Sequence, residues 1–197
     1  MRTLCLLLAA ILALALAGCG SKREKQSRAD KEVQELLSIT MNENKPRLKA
    51  FAEKKGVAGL KELLKEDSAR VRMVALTCLG LLKGNAEATA TLVAVADGAD
   101  SEDAYWAVMG LAAQGAPEAK EVIEKMIRSE DPRRRQGACV AIYEYGDSSL
   151  YPLLEATCDD PEPSVQAVAR QLRNMLGKPR VVPKEGVGYA PGEAPAP

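Results

Sequence analysis

The feature that most constrains the fold is a segment that recurs about every thirty residues between residues 57 and 176. Its four copies occupy residues 67–80, 97–110, 131–147 and 160–172. The positions that match Val71 in the later copies are Ser101, Arg134 and Val165. Self-similarity at such a period is the sequence signature of a solenoid, in which consecutive units stack on one another.

A second amphipathic stretch accompanies each copy, and these stretches are residues 57–65, 86–96, 117–128 and 148–158. A unit is therefore a helix–turn–helix pair, which buries its apolar face only when neighbouring units stack. Small residues that let facing helices approach recur at Ala75, Ala104, Ala138 and Ala169. The Asp that opens each copy, often followed by Pro, is expected to cap the next helix. We predict an all-α chain, a short α-solenoid of about four to five repeats.

Composition agrees with a helical core and limits the chemistry. Aromatic residues make up only 4% of the chain, so Ala and Leu must fill the core, which favours close-packed helices. There is no histidine, which excludes a Ser-His-Asp triad, a Cys-His pair and a histidine-ligated zinc. Basic and acidic residues balance at 27 each, unlike the basic footprint of a nucleic-acid binder. We therefore expect no cofactor, no metal, no catalytic residues and no nucleic-acid partner.

The repeated segments resemble HEAT repeats, specifically the short HEAT-like repeats named from phycobilin lyases, whose pattern is roughly D-P-x-x-V-R-x-x-A-x-x-A-L-G-x-L-G-D. Residues 67–80 match best, through Val71, Arg72, Ala75, Leu79 and Gly80. The third copy matches the end of the pattern through Ala141, Ile142, Gly146 and Asp147. The resemblance implies a solenoid in which these residues are structural, and it carries over no catalytic residue.

Two copies depart from the HEAT-like pattern. Ser101-Glu102 and Val165-Gln166 replace the Val-Arg pair, and Tyr105 stands where Ala is expected. The resemblance therefore supports the fold and does not assign a subfamily. The alternative to a solenoid is a generic antiparallel helical bundle.

The N-terminus has the architecture of a secretory signal. Arg2 is followed by an apolar stretch from Leu4 to Leu16 and then by Ala17, Gly18 and Cys19. The stretch is short for a membrane span, which needs ~20 apolar residues. The sequence of residues 16–19, LAGC, resembles the lipobox of bacterial lipoproteins. An ordinary signal peptide or an uncleaved anchor is the alternative.

The lipobox resemblance implies that Cys19 is lipidated and that the chain is cleaved before it. The new N-terminus usually gains a further acyl chain, such as palmitate, and several chains on one cysteine make a firm membrane anchor. Gly20 and Ser21 follow, and lack of Asp at the second position resembles enterobacterial sorting to the outer membrane. We expect a lipid-anchored protein in the cell envelope, on the periplasmic face of the outer membrane in preference to the inner membrane.

These features divide the chain into four parts. Residues 1–18 are the signal peptide, 19–32 the lipidated cysteine and a polar tether, 33–177 the repeat domain, and 178–197 a Pro/Gly-rich tail expected to be disordered. Early in the repeat domain, residues 42–44 break the apolar pattern, Pro46 suits a first helical turn, and Gly56 suits a helix end.

Three cysteines would remain in the folded part of the chain: Cys78, Cys139 and Cys158. Their number is odd and none forms a C-x-x-C motif. Burial as small hydrophobic residues is one interpretation, and a disulfide between two of them in an exported domain is the other.

Two groups of residues are candidates for partner binding. Arg128, Arg133, Arg134 and Arg135 form a basic cluster around one inter-repeat turn. They would dock an acidic partner or lipid headgroups, or they would make only local ion pairs on a solvated turn. Tyr105 and Trp106 are residue types enriched at interface hot spots, although at least one of them should pack inside.

The leading functional prediction is a non-enzymatic, membrane-tethered adaptor whose solenoid offers a curved groove to a protein partner in the envelope. One alternative is an enzyme or enzyme subunit that binds a small ligand, by analogy with the lyases that share these repeats. Another is a purely structural envelope component.

Overall fold

The structure is a computed structural model that describes residues 31, 33 and 41–176. Its helices are α1 (Met41–Leu63), α2 (Ala69–Leu81), α3 (Ala86–Ala96), α4 (Ser101–Gln114), α5 (Glu118–Met126), α6 (Pro132–Tyr145), α7 (Tyr151–Thr157) and α8 (Pro163–Leu176), with a 3₁₀ turn at Ser148–Leu150. The described residues contain no strand, which confirms the all-α prediction. The predicted signal peptide (1–18), Cys19, the tether apart from Lys31, and the tail (178–197) lie outside the described residues.

The helices form two layers around one core. Helices α2, α4, α6 and α8 pack side by side in chain order. In the second layer α3 contacts both α1 and α5, and α7 packs against α6 and α8. Each helix of the second layer has a fully buried Leu or Ile at an equivalent position. These residues are Leu60, Leu92, Ile123 and Leu154. The architecture is therefore the predicted α-solenoid.

Helix starts give the true register of the repeats. Helices α2, α4, α6 and α8 begin at Ala69, Ser101, Pro132 and Pro163, so the step from one unit to the next is nearly constant. With this register the repeated alanine is Ala75, Ala107, Ala138 and Ala169, and all four are 0% exposed. Ala107 therefore takes the position that the sequence pattern assigned to Ala104 or Tyr105. Ala104 is also buried, but it lies one turn earlier on α4.

A pair of glycines explains this error of register. Gly80 and Gly110 look equivalent in sequence, but they face each other where α2 crosses α4. A Cβ on Gly80 would lie 2.7 Å from the Cα of Gly110. The two glycines thus mark a contact between two helices. They are not the same repeat position in two copies.

Among the Asp residues that open the first three copies, only Asp131 acts as the N-cap of the helix that follows. Asp131 accepts a hydrogen bond from the backbone N–H of Arg133 at the start of α6. At α4 the cap is Asp100, not Asp97, which instead follows the C-terminus of α3. At α2 the cap position is Ser68, which makes no side-chain capping bond. The prediction that a recurring Asp caps every repeat was therefore wrong in these two units.

The first helix differs from its sequence prediction at one end. It begins at Met41, so residues 42–44 lie within it and do not interrupt it. At Gly56 the backbone adopts φ 63° and ψ 171°, which breaks the helical path between its two parts. A positive φ is accessible to glycine at little cost, and this confirms the predicted helix end at Gly56.

The Gly80–Gly110 contact leads to a stability prediction. Gly80→Ala places a methyl group against backbone, so we expect a loss of about 1–3 kcal/mol in the free energy of unfolding. Gly59→Ala is the control, because its Cβ would meet only the Lys55 side chain, at 3.5 Å. That variant should gain about 0.5–1 kcal/mol, since alanine is favoured over glycine within a helix. Urea unfolding measures both, and equal stabilities would contradict the close packing.

Candidate functional site

The candidate residues lie on α4 and α6 and on the turn that precedes α6. The four arginines of the basic cluster do not have the same surroundings. Arg128 is exposed, and its Nη1 donates to the carbonyl of Glu124 at 2.9 Å. Arg133, Arg134 and Arg135 are half-buried on the first turn of α6, each with its own partners.

Arg135 makes the most buried ion pair of the described residues. Its Nε and Nη2 donate to the two carboxylate oxygens of Asp160, each at 2.8 Å, and the two side chains are 12% and 7% exposed. Its Nη1 also donates to the carbonyls of Ser129 and Glu130. The hydrogen bond from Arg135 lowers the pKa of Asp160, and the same bond raises the pKa of the guanidinium. This arginine joins the third repeat to the fourth.

Arg72 occupies the same position two repeats earlier. Its Nε donates to Asp103 at 2.7 Å, and its Nη1 donates to the carbonyls of Glu66 and Asp67 in the turn before α2. Both arginines thus hold the turn of their own repeat and a carboxylate of the next. Such charge-assisted bonds are stronger than neutral ones and fix geometry as well.

The second repeat lacks an arginine at that position, where Ala104 stands. Arg134 reaches back from the third repeat and donates to the carbonyls of Ala96, at the end of α3, and of Gly98, in the turn before α4. Ser101 and Asp131 add a hydrogen bond between the same two repeats, and that bond lowers the pKa of Asp131. Arg134 therefore binds backbone carbonyls at a turn that has no arginine of its own.

Arg133, Glu102, Tyr105 and Trp106 together form what we call the α4–α6 surface cluster. Arg133 donates to both carboxylate oxygens of Glu102, at 2.7 and 3.0 Å, and its guanidinium carbon lies 3.8 Å from the centre of the Tyr105 ring. Trp106 Nε1 donates to Glu102 at 2.8 Å. The bond from Arg133 lowers the pKa of Glu102, and burial raises the pKa of Tyr105.

The two aromatic rings of the surface cluster have different neighbours. They meet edge to face with their centres 5.2 Å apart. Trp106 packs against the hydrophobic core, whereas Tyr105 covers Gly137 of α6, where a Cβ would lie 3.0 Å from its ring. Both stay half-buried, so the cluster forms part of the outer surface of the α2–α4–α6–α8 layer.

Sequence reasoning did not identify Gln114, a buried polar residue that joins three helices. Its amide nitrogen donates to the carbonyl of Leu79 at 2.8 Å, and its oxygen accepts from Thr89 at 2.8 Å. The pairing of Arg135 with Asp160 was also missed. The recurrence of arginine at 72 and 135, two repeats apart, was the signal that pointed to a structural role.

The three cysteines are free and buried. Burial raises the pKa of the Cys78 and Cys139 thiols to about 12, so little reactive thiolate forms near neutral pH. This geometry supports their interpretation as small core residues. Within residues 31, 33 and 41–176, no group of three or more Cys, Asp or Glu is placed to hold a metal ion. No helix in this part of the chain is long and apolar enough to cross a membrane.

Arg135 provides a test of its structural role. Arg135→Gln leaves Asp160 buried without its counter-charge, so we expect a loss of about 3–5 kcal/mol in unfolding free energy. Lys61→Gln is the control, because its ion pair with Glu87 is 48% and 60% exposed. That variant should lose less than about 1 kcal/mol. If both variants lose the same small amount, the buried pair does not hold the repeats together.

The same variant should also change the acid side of the stability curve. Since the pKa of Asp160 is lowered on folding, its contribution is present above the pKa of the unfolded carboxyl, ~3.9. The contribution is lost as the pH falls through the folded pKa. In Arg135→Gln, the free energy of unfolding, measured by urea unfolding at a series of pH values, should therefore fall less steeply as the pH is lowered through this range.

Comparison with known families agrees with the geometry. Residues 89–173 match the family of HEAT repeats, from within α3 to within α8. No curated protein matches the chain. The structure adds the unit formed by the second part of α1 and α2, which has the same architecture outside the matched range. The chain therefore contains HEAT-like repeats that stack as a short α-solenoid.

Proposed function

We propose that this protein is a membrane-anchored, non-enzymatic scaffold that binds a protein partner in the bacterial cell envelope. HEAT repeats support the scaffold part of this proposal, because stacked helix pairs present an extended surface on a rigid core. The sequence of residues 16–19 supports the anchor, through lipid on Cys19. That motif and its flanking residues favour the periplasmic face of the outer membrane.

The observation that carries the proposal is the α4–α6 surface cluster. Arg133 holds Glu102 and the Tyr105 ring, and Glu102 holds Trp106, so all four side chains are fixed before any partner arrives. Fixed aromatic and arginine side chains lose little conformational entropy on binding, and these residue types dominate interface energetics.

Apolar side chains extend this surface along both helices. Met109 lies one turn after Trp106 on α4, and Val140 lies on α6, and both are half-buried. The combination of an apolar row with a paired Glu and Arg suits a protein surface better than a small ligand. Arg128 is exposed in the turn before α6 and would contribute a charge at the rim of such an interface.

The partner is tested by crosslinking in intact cells, followed by recovery of the anchored protein and identification of what comes with it. We expect one dominant envelope protein in near-equal amount. Met109→Glu should reduce its recovery about thirtyfold, as for loss of a hot-spot contact. The matched control is Ala94→Glu, which adds the same charge at an exposed position of α3 in the other layer.

Three outcomes would count against a binding role for this surface. Equal recovery of the partner with both variants would place the binding site elsewhere on the chain. Recovery of the protein alone would remove the support for a scaffold. Crosslinking of the protein only to itself would instead favour a structural envelope component.

The anchor is tested separately by Cys19→Ala in the full chain. Without the thiol, no diacylglyceryl group can be attached, so the variant should keep its signal peptide or leave the membrane fraction. Metabolic labelling with a palmitate analogue should mark the native chain and not the variant. A variant that still matures and sediments with membranes shows that the lipoprotein interpretation is wrong.

A further inference from the structure

The first part of α1 carries a concentration of positive charge. Residues 41–56 contain five Lys and Arg against two acids, Glu43 and Glu53. Lys45, Arg47, Lys49 and Lys54 are all exposed. Glu53 lies 3.9 Å from Lys49, in an exposed pair that neutralises little of this charge. We call these four exposed cations the α1 basic face.

The core-facing side of the same helix is apolar. Phe51 is 7% exposed and Ala52 is 0% exposed, and Leu48 packs against the core beside them. These residues hold one side of the helix against the domain. Lys45 and Lys49 lie along one edge of that side, and Arg47 and Lys54 lie along the opposite edge, so the exposed cations flank it. The basic face is therefore presented by packing, in a part of α1 that ends at the break at Gly56.

The rest of the domain has the opposite charge. Residues 57–176 contain thirteen Lys and Arg against nineteen Asp and Glu, a net charge of −6. Charge is thus distributed unevenly along the domain, with the positive charge at its N-terminal end. An anionic surface would attract α1 and repel the repeats that follow.

The positive end is also the end nearest to the anchoring cysteine in the chain. The chain between Cys19 and Lys45 is short, and it spans at most ~3.6 Å per residue. An anchor at Cys19 therefore sets an upper limit on the distance of the α1 basic face from the bilayer, and this limit is lower for α1 than for any later helix. Under this tether, weak electrostatic contacts act as intramolecular ones and are strengthened accordingly.

We propose that the α1 basic face binds the anionic phospholipid headgroups of the membrane that holds the anchor. This inference rests on the proposed anchoring at Cys19 and adds an orientation to it. Basic side chains beside a membrane segment are attracted by anionic lipids, each with about a fivefold effect on binding. The acidic repeats then project away from the bilayer, which leaves the α4–α6 surface cluster accessible to a partner.

The experiment is an amine-labelling footprint of the full chain, as recovered from cells, on two kinds of vesicle. One kind contains phosphatidylcholine alone and the other contains phosphatidylcholine with phosphatidylglycerol. A water-soluble acylating reagent marks accessible lysines, and mass spectrometry gives the labelling rate of each. Lys83 and Lys125 are internal controls, because both are exposed at a distance in sequence from α1.

We expect Lys45, Lys49 and Lys54 to be labelled at least fivefold more slowly on the anionic vesicles, with Lys83 and Lys125 unchanged. High salt should abolish the difference, because the contacts are electrostatic and exposed. Equal labelling of the α1 lysines on both vesicles overturns the proposal. Equal slowing of every lysine also overturns it, since that pattern indicates general adsorption without orientation.

Two triple variants separate the basic face from total charge. Lys45→Gln with Arg47→Gln and Lys54→Gln should abolish the slowing at Lys49. Lys65→Gln with Arg70→Gln and Lys83→Gln removes the same charge from exposed sites outside both proposed binding surfaces and should leave it intact. If both variants behave alike, the location of the charge is irrelevant and the proposal is wrong.

The same samples distinguish this proposal from the anchoring on which it rests. Mass analysis of the N-terminal peptide shows whether Cys19 carries lipid. An unlipidated chain whose α1 lysines are labelled equally on both vesicles contradicts both the anchor and the basic face. An unlipidated chain whose α1 lysines are still labelled more slowly on anionic vesicles contradicts only the anchor. A lipidated chain without the footprint keeps the anchor and overturns the basic face.

Discussion

The structure depends on the close approach of α2, α4, α6 and α8. No single helix pair has enough apolar surface to fold alone, so each must stack on the next. Alanine at one position of every repeat, and the contact of Gly80 with Gly110, allow the backbones to come together. The regular spacing of the helix starts, the places of the turns and the partners of the charged side chains all follow from this stacking.

Arginine is the polar counterpart of that packing. Arg72 and Arg135 hold their own turns and a carboxylate of the next repeat, and Arg134 donates to the carbonyls of Ala96 and Gly98 in a repeat that has alanine at that position. A run of arginines that resembles a docking patch in sequence therefore carries much of the polar connection between repeats. Arg128 is the one exposed member of the cluster, and the other three are half-buried. Binding by these residues remains a prediction, centred on Arg133 and the rings beside it.

Periodicity predicted the helices well, because an amphipathic pattern follows directly from which residues must be buried. The helix end at Gly56 was also predictable, since it depends on local backbone geometry. Register was less secure. Gly80 and Gly110 were aligned as equivalent, although the starts of α2 and α4 are spaced slightly further apart than this pair, and Ala104 was taken for Ala107 in consequence. Identical residues on neighbouring helices indicate contact as readily as equivalence.

By itself the sequence determined the all-α class, the approximate repeat length, the lack of imidazole chemistry and the resemblance to a lipobox at Cys19. These properties depend on composition and on short-range patterns, which are fully present in the chain. Only the tertiary structure decided that Arg135 binds Asp160, that Arg134 reaches Ala96, and that Gln114 joins three helices. Those contacts join residues 25 to 38 positions apart, and their geometry exists only once the repeats have stacked.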